Sequence, residues 1–528
     1  MSESGLGSPA AVSTPSRLSL FLDRAGLQGF PWVSAIVLYT ISWGWILIVR
    51  DSYWNDDWGW FAFSELGKFD IDEYGVAPWW KLIEPLYQVL GATGMRILTF
   101  ASYFLCGMFA FGIAGRFRYF SGNDRKFLAL FFLILPFNSA RVALMVTHYT
   151  VSVLLFFAAW FLLLVFESGF AKIVAFLFFF LSFLMHSLLF FYALPMLSLL
   201  FVGSCRSKKE LKAILIRNAH FMMLPLLYLL IRSIYWPEKV RYHNFDIQRL
   251  GNLPSISIFL LLVTASIFYI TKKSINGTAI WVFVFGLTAT FFAMLPYSLL
   301  GIYESRPDEM VRKFLILAIG RSDFYSRHQT LQPLGISLLI VSAIIVVSRF
   351  DSLARRALIS SITLVCLVFN LGFGLENVTD FAKQGSIVAE LKNHRDSVEI
   401  SDYEFIDQTH HLNARGRRFR TWDWWGLVGQ AYGTGSAAEW NWTGEDNILI
   451  KNLKNVRNRC SVGKRSRLVL IQGPETHWQA LKNWVRERDM GFKVTIDDTP
   501  GACKPEMVTP ERVSGVIPIL FYFTGAKN

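Results

Sequence analysis

Apolar runs near the length needed to cross a bilayer recur from residue 31 to about residue 373. The first, "PWVSAIVLYTISWGWILIV", is followed by no small-residue cleavage site and predicts an uncleaved span rather than a signal peptide. Later spans are expected near 98–115, 127–137, 151–165, 173–184, 188–202, 222–235, 256–270, 280–300, 334–347 and 358–373. About eleven spans result, several of them short. The pattern predicts a polytopic α-helical membrane protein.

Basic residues orient these spans. Clusters at Arg116, Arg118, Arg125 and Lys126, at Arg206, Lys208, Lys209 and Lys212, at Lys272 and Lys273, and at Arg349, Arg355 and Arg356 fall on one side. That side is expected to be cytoplasmic, with the N-terminal tail 1–30 inside and the C-terminus outside. The outer loop before Leu334 breaks the rule, since it carries Arg306, Arg312, Lys313, Arg321 and Arg327. Positive charge kept on the wrong side suggests a task for it.

Beyond residue 376 the pattern changes to a charged, Trp-rich tail without spans. "RLVLIQG" reads as a buried strand, "ETHWQALKNWVRERDM" as a helix with Trp478, Leu481, Trp484 and Val485 at helical spacing, and "FKVTIDD" as an alternating strand. Residues 376–528 are therefore expected to form a small α/β extracytoplasmic domain beside a transmembrane domain, 31–375, whose first outer loop covers 50–94. Of five cysteines, Cys460 and Cys503 share this tail, where an oxidising compartment permits a disulfide. Two separate buried thiols are the other reading.

Composition agrees with a membrane protein. The chain has 528 residues, 53% of them hydrophobic and 17% charged, with a mean hydropathy of +0.38. The net charge of +13 needs no nucleic-acid partner, because basic cytoplasmic loops account for it.

Candidate chemistry starts with "SYWNDDWGW", just after the first span, where Asp56 and Asp57 sit among aromatic residues. The tryptophans alone read as interfacial anchors. Carboxylates packed between them lose water, which raises proton affinity and suits a general base acting on a hydroxyl; one of the pair would also serve a divalent cation. "PWWKLIEPLYQVL" in the same loop predicts a short amphipathic helix carrying Lys81, which would reach a phosphate or snorkel to the interface. His186 falls at an outer turn, and Arg141 and His148 are expected to line the same outer cavity, with structural hydrogen bonding as the competing reading. His410 and His411 precede "RGRRFRTWDWW", which reads as a sugar platform or as a packed core with a basic strand. No phosphate-cradling GxxxxGK[ST], dinucleotide fingerprint or zinc spacing is present, so no metal site is assigned.

The arrangement as a whole resembles the GT-C class of membrane glycosyltransferases. The resemblance rests on "NDDW" after the first span, "WWKLIEPLY" in the same loop, "FLMHSLLFFYALP" at an outer turn and "DFYSRHQTLQP" before a late span. It implies transfer of a sugar from a polyprenyl-phosphate carrier to a glycan, lipid or protein acceptor on the outer face of the membrane. Bacterial enzymes that decorate O-antigen or other surface polysaccharide at the inner membrane are nearest in flavour. Asp56 or Asp57 would then be the base for an inverting displacement, and Arg327 with His328 would hold the departing phosphate. A polysaccharide polymerase or ligase, and a transporter without covalent chemistry, are the alternatives. A transporter should carry ionisable groups or broken helices at mid-membrane.

Overall fold

The computed structural model describes residues 26–49, 52–54, 57, 77–202, 208–237, 277–299, 324–394, 403–414, 419, 421–432 and 467–497. It opens with α1 (Trp32–Trp43) and α2 (Trp45–Ile48), then α3 (Ala77–Ala114), α4 (Gly122–Ile134), α5 (Thr147–Val165) and α6 (Gly169–Ser182). α7 (Ser187–Phe191), α8 (Ala193–Val202), α9 (Lys208–Arg217), α10 (Ala219–Met222) and α11 (Leu224–Tyr235) follow. The last helices of this part are α12 (Gly277–Leu299), α13 (Gln332–Val347) and α14 (Ser352–Asn393).

Among the described residues, four helices are long and apolar enough to cross a membrane, and five shorter apolar helices accompany them. The long four lie in α3, α5, α12 and α14. Their outward faces stay apolar, with Ile97 54%, Val284 43% and Leu364 62% exposed, a surface compatible with lipid. The expected run at 188–202 is interrupted between α7 and α8, and the one at 256–270 lies outside the described residues. The amphipathic stretch before the second expected span is continuous with it in α3 except at Gly91, whose φ of 62° breaks the helix where a side chain would be strained.

Packing follows from the apolar faces. A Cβ on Gly335 would lie 2.6 Å from the Thr290 backbone nitrogen, so only glycine lets α13 lie this close to α12. The C-terminal carbonyls of α4 are capped from two directions. Trp43 Nε1 donates to Leu133 O at 3.1 Å and Asn370 Nδ2 to Ile134 O at 2.6 Å.

A separate small sheet holds β1 (Tyr403–Asp407), β2 (Arg467–Gln472) and β3 (Lys493–Asp497), with α15 (Thr421–Tyr432) and α16 (His477–Glu487) beside it. β1 pairs parallel with β2, and β2 antiparallel with β3. β2, α16 and β3 fall where the periodicity places them. Of the "RGRRFRTWDWW" stretch, the basic residues 415–418 and 420 lie outside the described residues, and its Trp-rich end is helical. That end starts α15, where Trp424 stacks on Phe405 at 4.5 Å and, with Leu427 and Val428, fills the domain core. On α16 the stripe faces away from the sheet, with Trp478 and Trp484 exposed and Ala480 buried.

α14 connects the two parts. Its 42 residues reach about 63 Å at 1.5 Å per residue, roughly twice the thickness of a bilayer core. It passes residue 376 without a break, and Ile387, Val388 and Leu391 join the core of the α/β part. The small domain is thus mounted on the far end of the last apolar helix.

Candidate functional site

At one end of the bundle, helices give way to irregular backbone. Residues 52–54 and 57, the 3-10 turns Ser139–Val142 and Leu144–Val146, and the 3-10 turn Phe324–Gln329 meet there. Unpaired backbone groups are costly away from water, so side chains must satisfy them. Ser326 Oγ accepts from Ala140 N at 2.8 Å. Arg141 donates to Phe137 O at 2.6 Å and to Asn138 O at 3.0 Å. Arg96 donates through Nε to Val142 O at 3.3 Å and through Nη2 to Ser52 O, with Trp54 against its guanidinium at 4.9 Å.

Asp57 belongs to this knot. It is fully buried, and its carboxylate accepts three backbone N–H bonds, from Trp54 at 3.1 Å, Leu144 at 2.9 Å and Met145 at 2.9 Å. It thereby caps the Leu144–Val146 turn from a segment 87 residues earlier in the chain. Burial pushes its carboxyl up to about 6, against the pull of the three N–H groups and of the Arg96 guanidinium. A ring of N–H donors is the opposite of the oxygen cage that a hard cation needs, so Asp57 does not fit a cation site. Among the described residues no group of three or more His, Cys, Asp or Glu is placed to hold a metal. Asp56 lies outside the described residues.

One turn along α5 from the capped N–H groups, His148 is hydrogen-bonded to the backbone of Met145 and faces the Trp79 ring at 5.4 Å. The Arg327 guanidinium lies within electrostatic reach of both the His148 ring and the Tyr297 hydroxyl. His328 packs on the Tyr297 ring at 4.6 Å, and Tyr297 donates to Ser187 Oγ at 2.9 Å. Asp57, His148, Arg327 and His328 therefore share one cluster drawn from separate elements. Beneath it, Asn138 is buried with φ 57°, and neither amide atom has a hydrogen-bond partner among the described residues; the same holds for the buried Trp79 indole N–H. Orphaned polar groups of this kind mark a place for a polar ligand or water.

Three expected binding residues do not join this cluster. Arg141 does not line a cavity; its guanidinium is sandwiched between Trp43 at 3.7 Å and Tyr103 at 3.9 Å, fully buried, because the carbonyls after α4 need its donors. Lys81 is exposed on the face of α3 opposite the buried Trp79 and Ile83 and does not join the cluster. His186 faces α11, with Tyr228 at 6.2 Å and Arg232 in electrostatic reach, and not the Asp57 loop. His410 and His411 sit on a turn of the α/β domain, where His411 Nε2 is 3.0 Å from Glu475 O. Cys460 and Cys503 lie outside the described residues.

Arg96, Tyr297, Ser326 and Asn138 escaped the sequence reading. Arg96 had a signal, since it interrupts an apolar stretch in "GATGMRILTFASYF", and a cation there calls for a partner. The others depend on long-range contacts that no local pattern carries. Comparisons of the chain with family models, with curated proteins and with solved structures give no match.

Proposed function

We propose that the protein is a membrane glycosyltransferase that moves a sugar from a polyprenyl-phosphate carrier to an acceptor hydroxyl outside the cytoplasm. In this reading the chain crosses the membrane about eleven times, with the N-terminus inside and the α/β domain outside. The supporting observation is the knot at the bundle end. There, irregular backbone, the Arg327, His148 and His328 side chains and unpartnered polar groups converge close to where Asp57 is buried.

Asp57 holds backbone and is a positioning residue. Its sequence neighbour Asp56 is the general base. As the acceptor oxygen bonds to the anomeric carbon, its proton passes to the Asp56 carboxylate. The bond from that carbon to the phosphate oxygen breaks, and the electron pair leaves with the phosphate. Attack opposite the leaving group inverts the centre. Arg327 holds the leaving phosphate through its fork of N–H donors, and His328 and His148 flank it.

Membranes carrying the protein, supplied with a panel of polyprenyl-phosphate sugars, should consume one donor and release its carrier phosphate. Asp56→Asn should lower that rate by about 10²–10⁴-fold at matched expression. Arg327→Ala should weaken donor use by roughly 10–100-fold, the loss expected for a charge-assisted bond. Retention of sugar on every donor, or a loss under tenfold in Asp56→Asn, would overturn the reading.

A further inference from the structure

α16 turns an apolar stripe to the outside of the α/β domain. Trp478 is 54%, Trp484 42% and Val485 62% exposed, and Leu481 falls between them at helical spacing. Lys482 Nζ lies 5.9 Å from the Trp478 ring centre, and the Arg488 guanidinium 5.1 Å from that of Trp484. Glu487 falls two turns from Ala480, on the other side of the helix, so no acid interrupts the stripe within α16. Open apolar surface of this kind calls for a partner.

α14 indicates which partner. Its residues 357–375 carry no charged side chain, a stretch of roughly 28 Å at 1.5 Å per residue, about the thickness of a bilayer core. Leu364, Val368 and Leu371 line the exposed side of this stretch. Steps of three and four residues continue that side through Leu375 to Val378 and Ala382. Val378 and Ala382 are where α16 rests, through the cluster of Ala480 with Leu412, Met490 and Phe492. Among the four membrane-length helices α14 is the least buried, so this side belongs to the periphery of the bundle. α16 therefore stands over the lipid-facing side of α14 and not over the other helices. Val378 and Ala382 lie roughly 5 and 10 Å beyond Leu375 along the helix, and the headgroup layer takes up about 5–8 Å on each side of the core. That is the depth at which α16 sits.

We infer that α16 is an interfacial anchor, its Trp478, Leu481, Trp484 and Val485 stripe seated in the headgroup layer of the membrane that α14 crosses. Indole rings favour that depth, because each joins a large apolar face to one polar N–H. Lys482 and Arg488 lay their stems along the rings and keep their charges in the polar layer. The seat depends on the rings rather than on net charge, since basic and acidic residues nearly balance over 475–493. Zwitterionic lipid is therefore sufficient. This second contact with the membrane restrains the α/β domain from swinging about α14, whichever reaction the knot performs.

Photocrosslinking tests the seat in full-length protein reconstituted into phosphatidylcholine vesicles. The photoreactive residue is introduced singly, as Trp478→p-benzoylphenylalanine and Val485→p-benzoylphenylalanine in the stripe, and as Gln479→p-benzoylphenylalanine on the exposed side away from it. All three positions are exposed, so each variant should fold. After irradiation, mass spectrometry of the α16 peptide should find lipid adducts at 478 and 485 in roughly tenfold higher yield than at 479, because only the stripe lies at lipid depth. Adducts absent from 478 and 485, or equally abundant at all three positions, would overturn the anchor. A cross-link from 478 or 485 to a second copy of the chain would also overturn it and assign the stripe to a contact between copies.

Discussion

Asp57 in the knot and Asp407 at the end of β1 are both buried carboxylates, yet their surroundings push them in opposite directions. Asp57 has only N–H dipoles for direct partners, and burial leaves its carboxyl raised to about 6. Asp407 faces an ammonium. Lys383 Nζ, fully buried on α14, lies 2.7 and 2.6 Å from its two oxygens and 2.6 Å from Asn413 Oδ1, and Thr409 adds N–H and O–H bonds at 2.9 Å. Burial alone would raise Asp407, but Lys383 and Thr409 outweigh it and hold the carboxyl below the ordinary range. The contrast shows what each site is built for. A full counter-charge locks the sheet to α14, whereas dipoles alone close irregular backbone and leave Arg96 nearby with its own carbonyls to serve.

The largest effect should come from breaking the locked pair. Lys383→Met leaves the Asp407 carboxylate buried without a counter-ion and should destabilise the docked domain by about 3–5 kcal/mol. Adding Asp407→Leu should recover most of that loss. Hydrogen exchange along β1 and β2 would report both outcomes. A double variant no better than Lys383→Met alone would show that the charge is not the source of the loss.

Asp57→Asn should cost less, about 1–3 kcal/mol, because the amide nitrogen presents donors to backbone N–H groups that need an acceptor. The pH responses should also differ in sign. The folded Asp57 carboxyl has the higher proton affinity, so its contribution to stability is full below pH ~4 and is lost as pH rises through about 6. Asp407 is depressed, so its contribution is present above pH ~4 and is lost as pH falls through its lowered value. Thermal melts from pH 3 to 7 in detergent should show the decline toward neutrality flattened in Asp57→Asn and the acid loss removed in the Lys383→Met/Asp407→Leu pair. The same pH profile in all three proteins would refute both assignments.

Helices, and the β2, α16 and β3 segments, were legible in the sequence because their periods are local. The parallel partner β1 and the helix α15 were not. "YEFID" is too short to stand out, and the basic residues before Trp424 masked a helix whose buried side is only evident against Phe405. Within the site, Asp57 of "NDDW" and Arg327 and His328 of "DFYSRHQ" do come together in one cluster. The role of Asp57 was hidden, because its three donors come from Trp54, Leu144 and Met145, two of them 87 and 88 residues away. Arg141 misled for the same reason. A charge near an expected outer turn reads as a ligand until the carbonyls of Phe137 and Asn138 are seen to need it.

The smallest effect concerns the link between the two regions. Gln384, one residue after Lys383, donates from Nε2 to the Tyr53 carbonyl at 3.3 Å and to Asp380 Oδ1 at 3.1 Å. Asp380 in turn accepts from Ala414 N at 2.8 Å, within the α/β domain. Tyr53 immediately precedes Trp54, whose N–H binds Asp57, and its hydroxyl meets that of Tyr87 at 2.8 Å. One side chain on α14 therefore touches both the loop that enters the knot and the carboxylate that holds the domain. Gln384→Ala should cost about 0.5–1.5 kcal/mol by itself, the ordinary net value of such a bond. Its informative property is coupling. In a double-mutant cycle with Asp57→Asn, followed by hydrogen exchange at Leu144 and Met145, the two losses should fall short of additivity by 0.5 kcal/mol or more, roughly the lower bound for residues in one network. In a cycle with Val485→Ala, on the exposed face of α16, they should add. Simple additivity in the first cycle would mean that the domain and the knot are fixed independently, and that α14 carries the domain without steadying the Asp57 loop.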